Sequence, residues 1–356
     1  VGPVSRAMGG VGVASPQDSI TAIFVNPAAM NACPCGVNSE AVFGATLFDP
    51  SVDAKIRGPA GSSSMSSQHD PFIIPAVGVN MPINEDWRFG IGAFGISGLG
   101  TDYRNKMVDL DGNPANGFEG DLYTRLEIMK FSPMVSYKVD ENLSVGASFQ
   151  AAYNNLDLGF GGTHDYTYGG QFGAVYNAGK VQLGASYTTP QKATFDRVFN
   201  FDSFMGDTKL DSLDLESPQA VVFGIAVEPT KKLLTEVDIK WYDWDSADGY
   251  SDFGWDDQWV IALGAQLEVT EKLALRAGYN YGENPVKENN GWDPGGVSNI
   301  QGTPVPTLGY ELFRIVGFPA VVEHHMTLGA GYMLTESMSM NFYWMPAFDK
   351  SISETS

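Results

Sequence analysis

The sequence predicts an all-β protein, a transmembrane antiparallel β-barrel in a bacterial outer membrane with residues 1–38 as a plug (hatch) in its lumen. Three observations predict it. From residue 40 onward, long runs alternate apolar residues with small or polar ones. Very short turns alternate with long polar loops along those runs. No stretch reaches the roughly 18 to 20 consecutive apolar residues that a membrane helix needs, although 43% of the chain is apolar and 12% aromatic.

The plug comes first. Its Gly9-Gly10-Val11-Gly12 run has neither a strand–helix frame nor a following Lys, so it is not a phosphate loop. Further on, Asn26-Pro27-Ala28-Ala29-Met30 reads as a fixed turn, because Pro locks φ and Asn bonds neighbouring backbone. Asn26, Pro27, Ala28 and Met30 are therefore the residues expected to set the hatch. Cys33 and Cys35, in Cys-Pro-Cys-Gly, sit too close for an ordinary loop-closing disulfide and lack a second ligand pair for a metal. They are expected to be structural.

The strands follow, over 39–49, 72–82, 87–103, 122–138, 143–160, 170–178, 181–200, 214–228, 233–244, 258–269, 273–284, 321–334 and 338–352. In one of them Glu236, Asp238 and Lys240 share a face opposite Val237, Ile239 and Trp241. In another, Ser144, Gly146, Ser148 and Gln150 oppose Val145, Ala147, Phe149 and Ala151. A soluble sandwich also alternates, but these strands exceed its usual five or six residues. Their ends also collect aromatics such as Trp87, Tyr137, Trp241, Trp259 and Trp344, as interfacial girdles do. Short turns such as Asn84-Glu85-Asp86 and Asp140-Glu141-Asn142 mark one rim, and long loops at 104–121, 201–213, 245–257 and 285–320 mark the other. Thirteen strands are visible. Bacterial single-chain barrels have even numbers, so a fourteenth strand beyond Ser356 is expected.

The remaining chemistry is mostly exclusion. A net charge of −21 argues against nucleic acid. His324 and His325 are adjacent on one strand and point to opposite walls, so they cannot chelate together. Asp109-Leu110-Asp111-Gly112-Asn113 is an incomplete calcium loop, and no metal or cofactor is expected. No catalytic triad or carboxylate pair can be placed, so no enzyme is expected either. Arg125, Arg276 and Lys240 suit lumenal ion pairs with Glu236 and Asp238.

Several segments together resemble the FadL/TodX family of outer membrane transporters for long-chain fatty acids and other hydrophobic molecules. They are Ser5-Arg6-Ala7-Met8-Gly9-Gly10-Val11-Gly12, Asn26-Pro27-Ala28, the stretch from Ile83 to Tyr103, Trp241-Tyr242-Asp243-Trp244 and Arg276-Ala277-Gly278-Tyr279. The resemblance implies a fourteen-stranded barrel, ligand capture at the outer loops, and sideways exit through a wall opening at a kink in the third strand. Here the kink falls at Phe94, Gly95, Ile96, Ser97, Gly98, Leu99 and Gly100; glycines inside a strand weaken the ladder and mark bulges, which agrees. Ligand capture would rest on Met107, Val108, Leu110 and Phe118, and on Leu308, Tyr310, Leu312 and Phe313 of a loop that is apolar enough to fold inward. The 161–168 loop is too short for the helical excursion that the better-known fatty acid transporters carry there.

The expected function is passive uptake of a fatty acid, alkane or aromatic, with the bilayer and lipopolysaccharide as surroundings. The alternatives are a barrel repurposed as a protein partner, like the PorV-type secretion subunits, and a general porin. A continuous apolar cavity from loop 285–320 to Gly98 would favour transport; a filled one would favour the partner role.

Overall fold

The computed structural model describes residues 1–33, 38–58, 61–68, 71–104, 107–108, 118–119, 122–200 and 209–356. Thirteen strands form one antiparallel sheet in simple sequence order. They are β1 (Glu40–Phe48), β2 (Phe72–Pro82), β3 (Trp87–Asp102), β4 (Tyr123–Lys138), β5 (Leu143–Asp157), β6 (Thr163–Asn177) and β7 (Val181–Thr188). The series continues through β8 (Ala220–Thr230), β9 (Leu233–Tyr242), β10 (Gln258–Glu268), β11 (Leu273–Gly282), β12 (His324–Thr335) and β13 (Met338–Trp344). Among the described residues no backbone ladder joins β1 to β13; the Tyr343 hydroxyl donates across that seam to Thr46 Oγ1 at 2.5 Å.

Several strand assignments need correcting; the last strand, expected over 338–352, ends at Trp344. Residues 163–169 extend β6 rather than forming a loop, because Thr163–Gly169 pair with β5 from Leu156 to Gln150. The seventh and eighth strands are shorter than their alternation suggests. Gln191–Phe199 and Asp211–Ser217 leave the wall and pair with each other as a separate hairpin beyond the rim. Periodicity of two reports a strand with two unlike faces, not which sheet the strand joins.

The outer wall is greasy. Phe43, Leu47, Ile73, Phe149, Phe223, Leu328 and Trp344 are each exposed by half or more, an apolar belt that only lipid can cover. The inner wall is small and polar, and the N-terminal residues fill it. Helix α1 (Pro3–Ala7), helix α2 (Ser19–Val25) and a 3₁₀ turn (Pro27–Asn31) are almost wholly buried inside the barrel. Glycines in register make the room. Gly146 pairs with Gly173, Gly184 with Gly224 and Gly264 with Gly278. A Cβ on Gly146 would stand 2.5 Å from the Ala28 amide nitrogen, and one on Gly264 would stand 2.5 Å from the Met8 carbonyl oxygen.

Candidate functional site

The hatch is tied to the wall mainly through its backbone. On β9, Asp238 Oδ2 accepts from Gly12 N at 3.0 Å and Val13 N at 3.4 Å. Two residues earlier, Glu236 Oε1 accepts from Ala14 N at 2.8 Å and Ser15 N at 3.2 Å. Lys240 Nζ donates to Gly10 O at 2.7 Å. The expected ion pairs of Lys240 with these carboxylates are therefore absent among the described residues. The three charges, spaced by two on one face, read the hatch backbone instead, because carboxylates take N–H donors and an ammonium takes a carbonyl. Arg125 pairs with Glu127 at 2.5 Å in an exposed position, and Arg276 Nε donates to Gln266 Oε1 at 2.6 Å.

Asn26 does most at the hatch turn. Its Nδ2 donates to Val13 O at 2.8 Å and Ala174 O at 3.3 Å, while Oδ1 accepts from Ala28 N at 3.1 Å. Pro27 follows as the first residue of the 3₁₀ turn, and Ala28 and Met30 are fully buried there. Met30 packs in an apolar cluster with Ile20, Ile23, Phe94 and Met134, so hatch and wall share one small core. Cys33 is disulfide-bonded, which corrects the expectation from its spacing; Cys35 lies outside the described residues.

At the third strand the wall changes character. From Arg88 to Phe94, β3 pairs with β2, ending at Ala76 opposite Phe94. Beyond that, β2 residues Phe72–Pro75 pair only with β1, and β3 residues Gly95–Asp102 pair only with β4. The β3–β4 ladder also slips there: Gly95 faces Met129, Ser97 faces Ile128, and Ile96 is the extra residue. A bulge of this kind bends its strand and shifts the face of every later residue. Thus Gly90, Gly92 and Phe94 look inward on even numbers, whereas Thr101 is the buried, inward residue above the bulge. At the top, Gln68 N donates to Asp102 O at 2.7 Å and closes the outline. The result is a window in the ladder from Gly95 to Thr101, roughly 20 Å along the strand.

Its frame is apolar. A Cβ on Gly95 would meet Ile74 Cγ2 at 2.8 Å, whereas one on Gly98 would meet nothing within 4 Å. Phe94, just below, is fully buried and stands edge-on to hatch residue Phe24, with ring centroids 5.3 Å apart. Ile96 touches both the hatch core and a larger core above it. Gly100 pairs with Arg125 on β4. Nothing is described of the Leu99 side chain.

The larger core lies under the outer loops. Leu126, Ile128 and Leu156 of the wall meet Phe195 and Leu213 of the outer hairpin, Phe253 and Trp255 of the loop after β9, and Phe313. Phe313 follows helix α3 (Thr307–Leu312), and Tyr310 donates from that helix to Asp252 O at 2.6 Å while packing on the same core. Leu308 and Leu312 lie on α3 half-buried, outside that cluster. The loop does fold inward, as its apolar composition requires. Met107–Val108 pairs with Phe118–Glu119 in a short hairpin whose side chains are not described. Leu110, like the incomplete calcium loop at 109–113, falls outside the described residues.

Within this core lies a small cavity of about 20 Å³, lined by Leu126, Tyr250, Phe253, Trp255, Phe313 and Phe318 among others. One charged residue borders it, and its charge is spent. Arg314 Nε donates to Glu311 Oε2 at 2.9 Å, Nη1 to Lys287 O at 2.5 Å, and Nη2 bonds Glu354. An apolar lining therefore runs without a break from Phe313 through Ile96 to Phe94, though the open volume along it is small.

The family resemblance pointed to this stretch of the third strand and its glycines agreed, but neither singled out Ile96 as the bulged residue, Pro75 as the frame or Phe24 as the inner neighbour of Phe94. Pro75 carried a signal, since a proline cannot donate to a ladder and marks an unpaired edge.

A sequence profile of outer membrane transport proteins (OMPP1/FadL/TodX) matches residues 1–163 and 163–291. The chain belongs to this family. Its members are outer membrane transporters of hydrophobic compounds, and the lipid-facing belt and filled lumen suit that location. No curated protein sequence matches the chain. The fold is similar to that of the Pseudomonas putida toluene transporter TodX (TM-score 0.65, 20% identity, covering 96% of this chain and 91% of that one). It is also similar to the CymD monoaromatic hydrocarbon channel (TM-score 0.61, 18% identity, covering 98% and 93%).

Proposed function

We propose that this family member takes up small hydrophobic molecules passively, from the outer loops to the lumenal core and then sideways into the bilayer through the β3 window. The observation that carries the reading is the unpaired ladder between Phe72–Pro75 and Gly95–Thr101, beside a core built mainly of apolar side chains. An open ladder in lipid is costly, since each unsatisfied backbone group costs several kcal/mol. A wall that keeps one at its bulge has a use for it. No energy source is required, because each buried CH₂ contributes ~0.8 kcal/mol on leaving water. The similar structures, a toluene transporter and a monoaromatic hydrocarbon channel, support a compact aromatic cargo. The aromatic side chains of the outer core would give such a ring apolar surroundings.

Deleting Ile96 tests the route. Removing the extra residue lets β3 and β4 run in register and brings the window edges together. Uptake of toluene into proteoliposomes should fall to the protein-free rate, while the barrel keeps its heat-resistant gel mobility. Unchanged uptake would exclude the window as the exit. A second reading, a protein-partner role, draws on the small open volume; it would gain if wild-type liposomes took up no hydrophobic probe at all.

A further inference from the structure

The outer core is closed. An aromatic ring needs a cavity of roughly 150 Å³, whereas the space enclosed by Leu126, Tyr250, Trp255 and Phe313 is about 20 Å³. Cargo therefore reaches this core only when part of its cover moves. Most of the cover is built into the core itself. The outer hairpin carries Phe195 and Leu213 there, the loop after β9 carries Phe253 and Trp255, and the loop after β11 carries Phe313, all of them buried. One piece is not built in. Past the end of β13 at Trp344, residues 345–356 run back over the outer loops, and of residues 347–356 only Ile352 and Glu354 turn inward.

This segment is held by bonds to other parts of the chain. Phe348 N donates to His324 O at 3.0 Å, and Met326 N donates to Pro346 O at 3.2 Å. Lys350 Nζ pairs with Glu323 Oε2 at 2.7 Å. Further on, Gly291 N donates to Thr355 O at 2.7 Å, and Thr355 N to Asn290 Oδ1 at 3.0 Å. Ile352 packs half-buried on the outer core. Glu354 reaches deepest, with its side chain 2% exposed. Its Oε1 accepts from Arg314 Nη2 and, at 2.7 Å, from Asn289 N.

Arg314 borders the cavity, so Glu354 ties the segment to the cavity wall. The tie is incomplete. Arg314 also serves Glu311, the Lys287 ammonium is turned to Asp245 and Asp256, and Glu354 Oε2 is buried without a partner. A buried carboxylate that shares its counter-ion is expensive. Of the pieces covering the core, this one therefore opens at the least cost.

We propose that residues 347–356 are a strap across the mouth of the outer core, latched by Glu354 and Ile352, and that cargo enters when the strap lifts. The proposal rests on the transport reading and adds a gate on its outer side.

Cross-linking tests it. In Asn290→Cys/Thr355→Cys, mild oxidation joins two side chains whose Oδ1 and Oγ1 lie 3.2 Å apart, which fixes the strap. Toluene uptake into proteoliposomes should fall to the protein-free rate on oxidation and recover on reduction. Wild type carried through the same steps controls for the Cys33 disulfide. Ile352→Ser removes the apolar anchor, so amide exchange of residues 347–356 and toluene uptake should both rise about tenfold. In wild type, saturating toluene should lower the protection of the Asn289, Gly291 and Thr355 amides, a readout that needs no variant. The proposal is overturned if the cysteine pair does not oxidise, if the cross-linked protein takes up toluene at the wild-type rate, or if toluene leaves that protection unchanged. Faster exchange in Ile352→Ser without faster uptake would also overturn it. In each of these cases uptake by wild type leaves the transport reading standing. If wild type itself takes up no toluene, that reading falls and the strap has no cargo to admit.

Discussion

Replacing Asn26 with Ala should loosen the hatch without unfolding the barrel. The side chain is fully buried and makes three hydrogen bonds, to Val13 O, Ala174 O and Ala28 N. Truncation strands two carbonyls and one N–H away from water, at ~1 kcal/mol each, so the local cost is about 3 kcal/mol. That shifts the opening equilibrium of the turn on the order of a hundredfold. Native-state hydrogen exchange in detergent micelles reads it: amides of α2 and the 3₁₀ turn should lose about two decades of protection, while those of β4 to β6 keep theirs. Asn26→Asp retains the acceptor for Ala28 N but sets an oxygen against two carbonyls, and should be no better than Ala. Gly173→Ala should reproduce the effect from the wall side, because its Cβ would occupy the space of Asn26 Oδ1. Unchanged protection in Asn26→Ala, or a tolerated Asp, would refute the claim that this side chain holds the hatch.

Gly184→Val should expel the hatch segment at Val13 and Ala14, whose Cα would lie 2.7 Å from the new Cβ. The overpacking cost of ~1–3 kcal/mol should appear as protease cleavage within residues 10–18 and raised conductance in planar bilayers. Asp238→Asn should weaken the grip on Gly12 and Val13, because an amide oxygen accepts less strongly than a carboxylate; exchange there should rise while β9 is unaffected. At the outer hairpin, Lys192 bridges Asp214 at 2.6 Å and Asp248 at 3.0 Å. The hydrogen bonds that Lys192 donates to Asp214 and Asp248 raise its pKa above the ordinary value. Burial pushes the Asp214 pKa up, but bonds from Lys192 and Thr194 outweigh it and hold the carboxyl below its usual range. The acid's contribution is present above pH ~4 and lost as pH falls further; the lysine's is present below pH ~10 and lost above its raised value. Hairpin protection should therefore be flat from pH 5 to 9 and fall in acid, by no more than ~1 kcal/mol since the pair is exposed. A slope across neutral pH would contradict the assignment.

Two-residue alternation is what made the barrel legible. In β9, Glu236, Asp238 and Lys240 stand opposite Val237 and Ile239, and that pattern has meaning only if one face meets lipid and the other an enclosed interior. Turn chemistry then set the register of neighbours, which for hairpins is a local matter. The hatch turn was legible for a similar reason, since Asn26-Pro27 carries its own backbone instruction. Glycines at 95, 98 and 100 agreed with the kink that the family resemblance implied for β3.

What the chain alone decided, then, was the class of fold and the faces of most strands, both of which follow from nearest neighbours in sequence. Only the tertiary structure decided which partners the inward charges take. Glu236 and Asp238 meet backbone amides more than two hundred residues away rather than Lys240; Arg314 is neutralised by Glu311 and Glu354. It also decided that Ile96 is the bulged residue and that 191–217 forms a hairpin off the wall. Alternation specifies a face, whereas pairing depends on which group of opposite kind the closed barrel happens to bring within 3 Å.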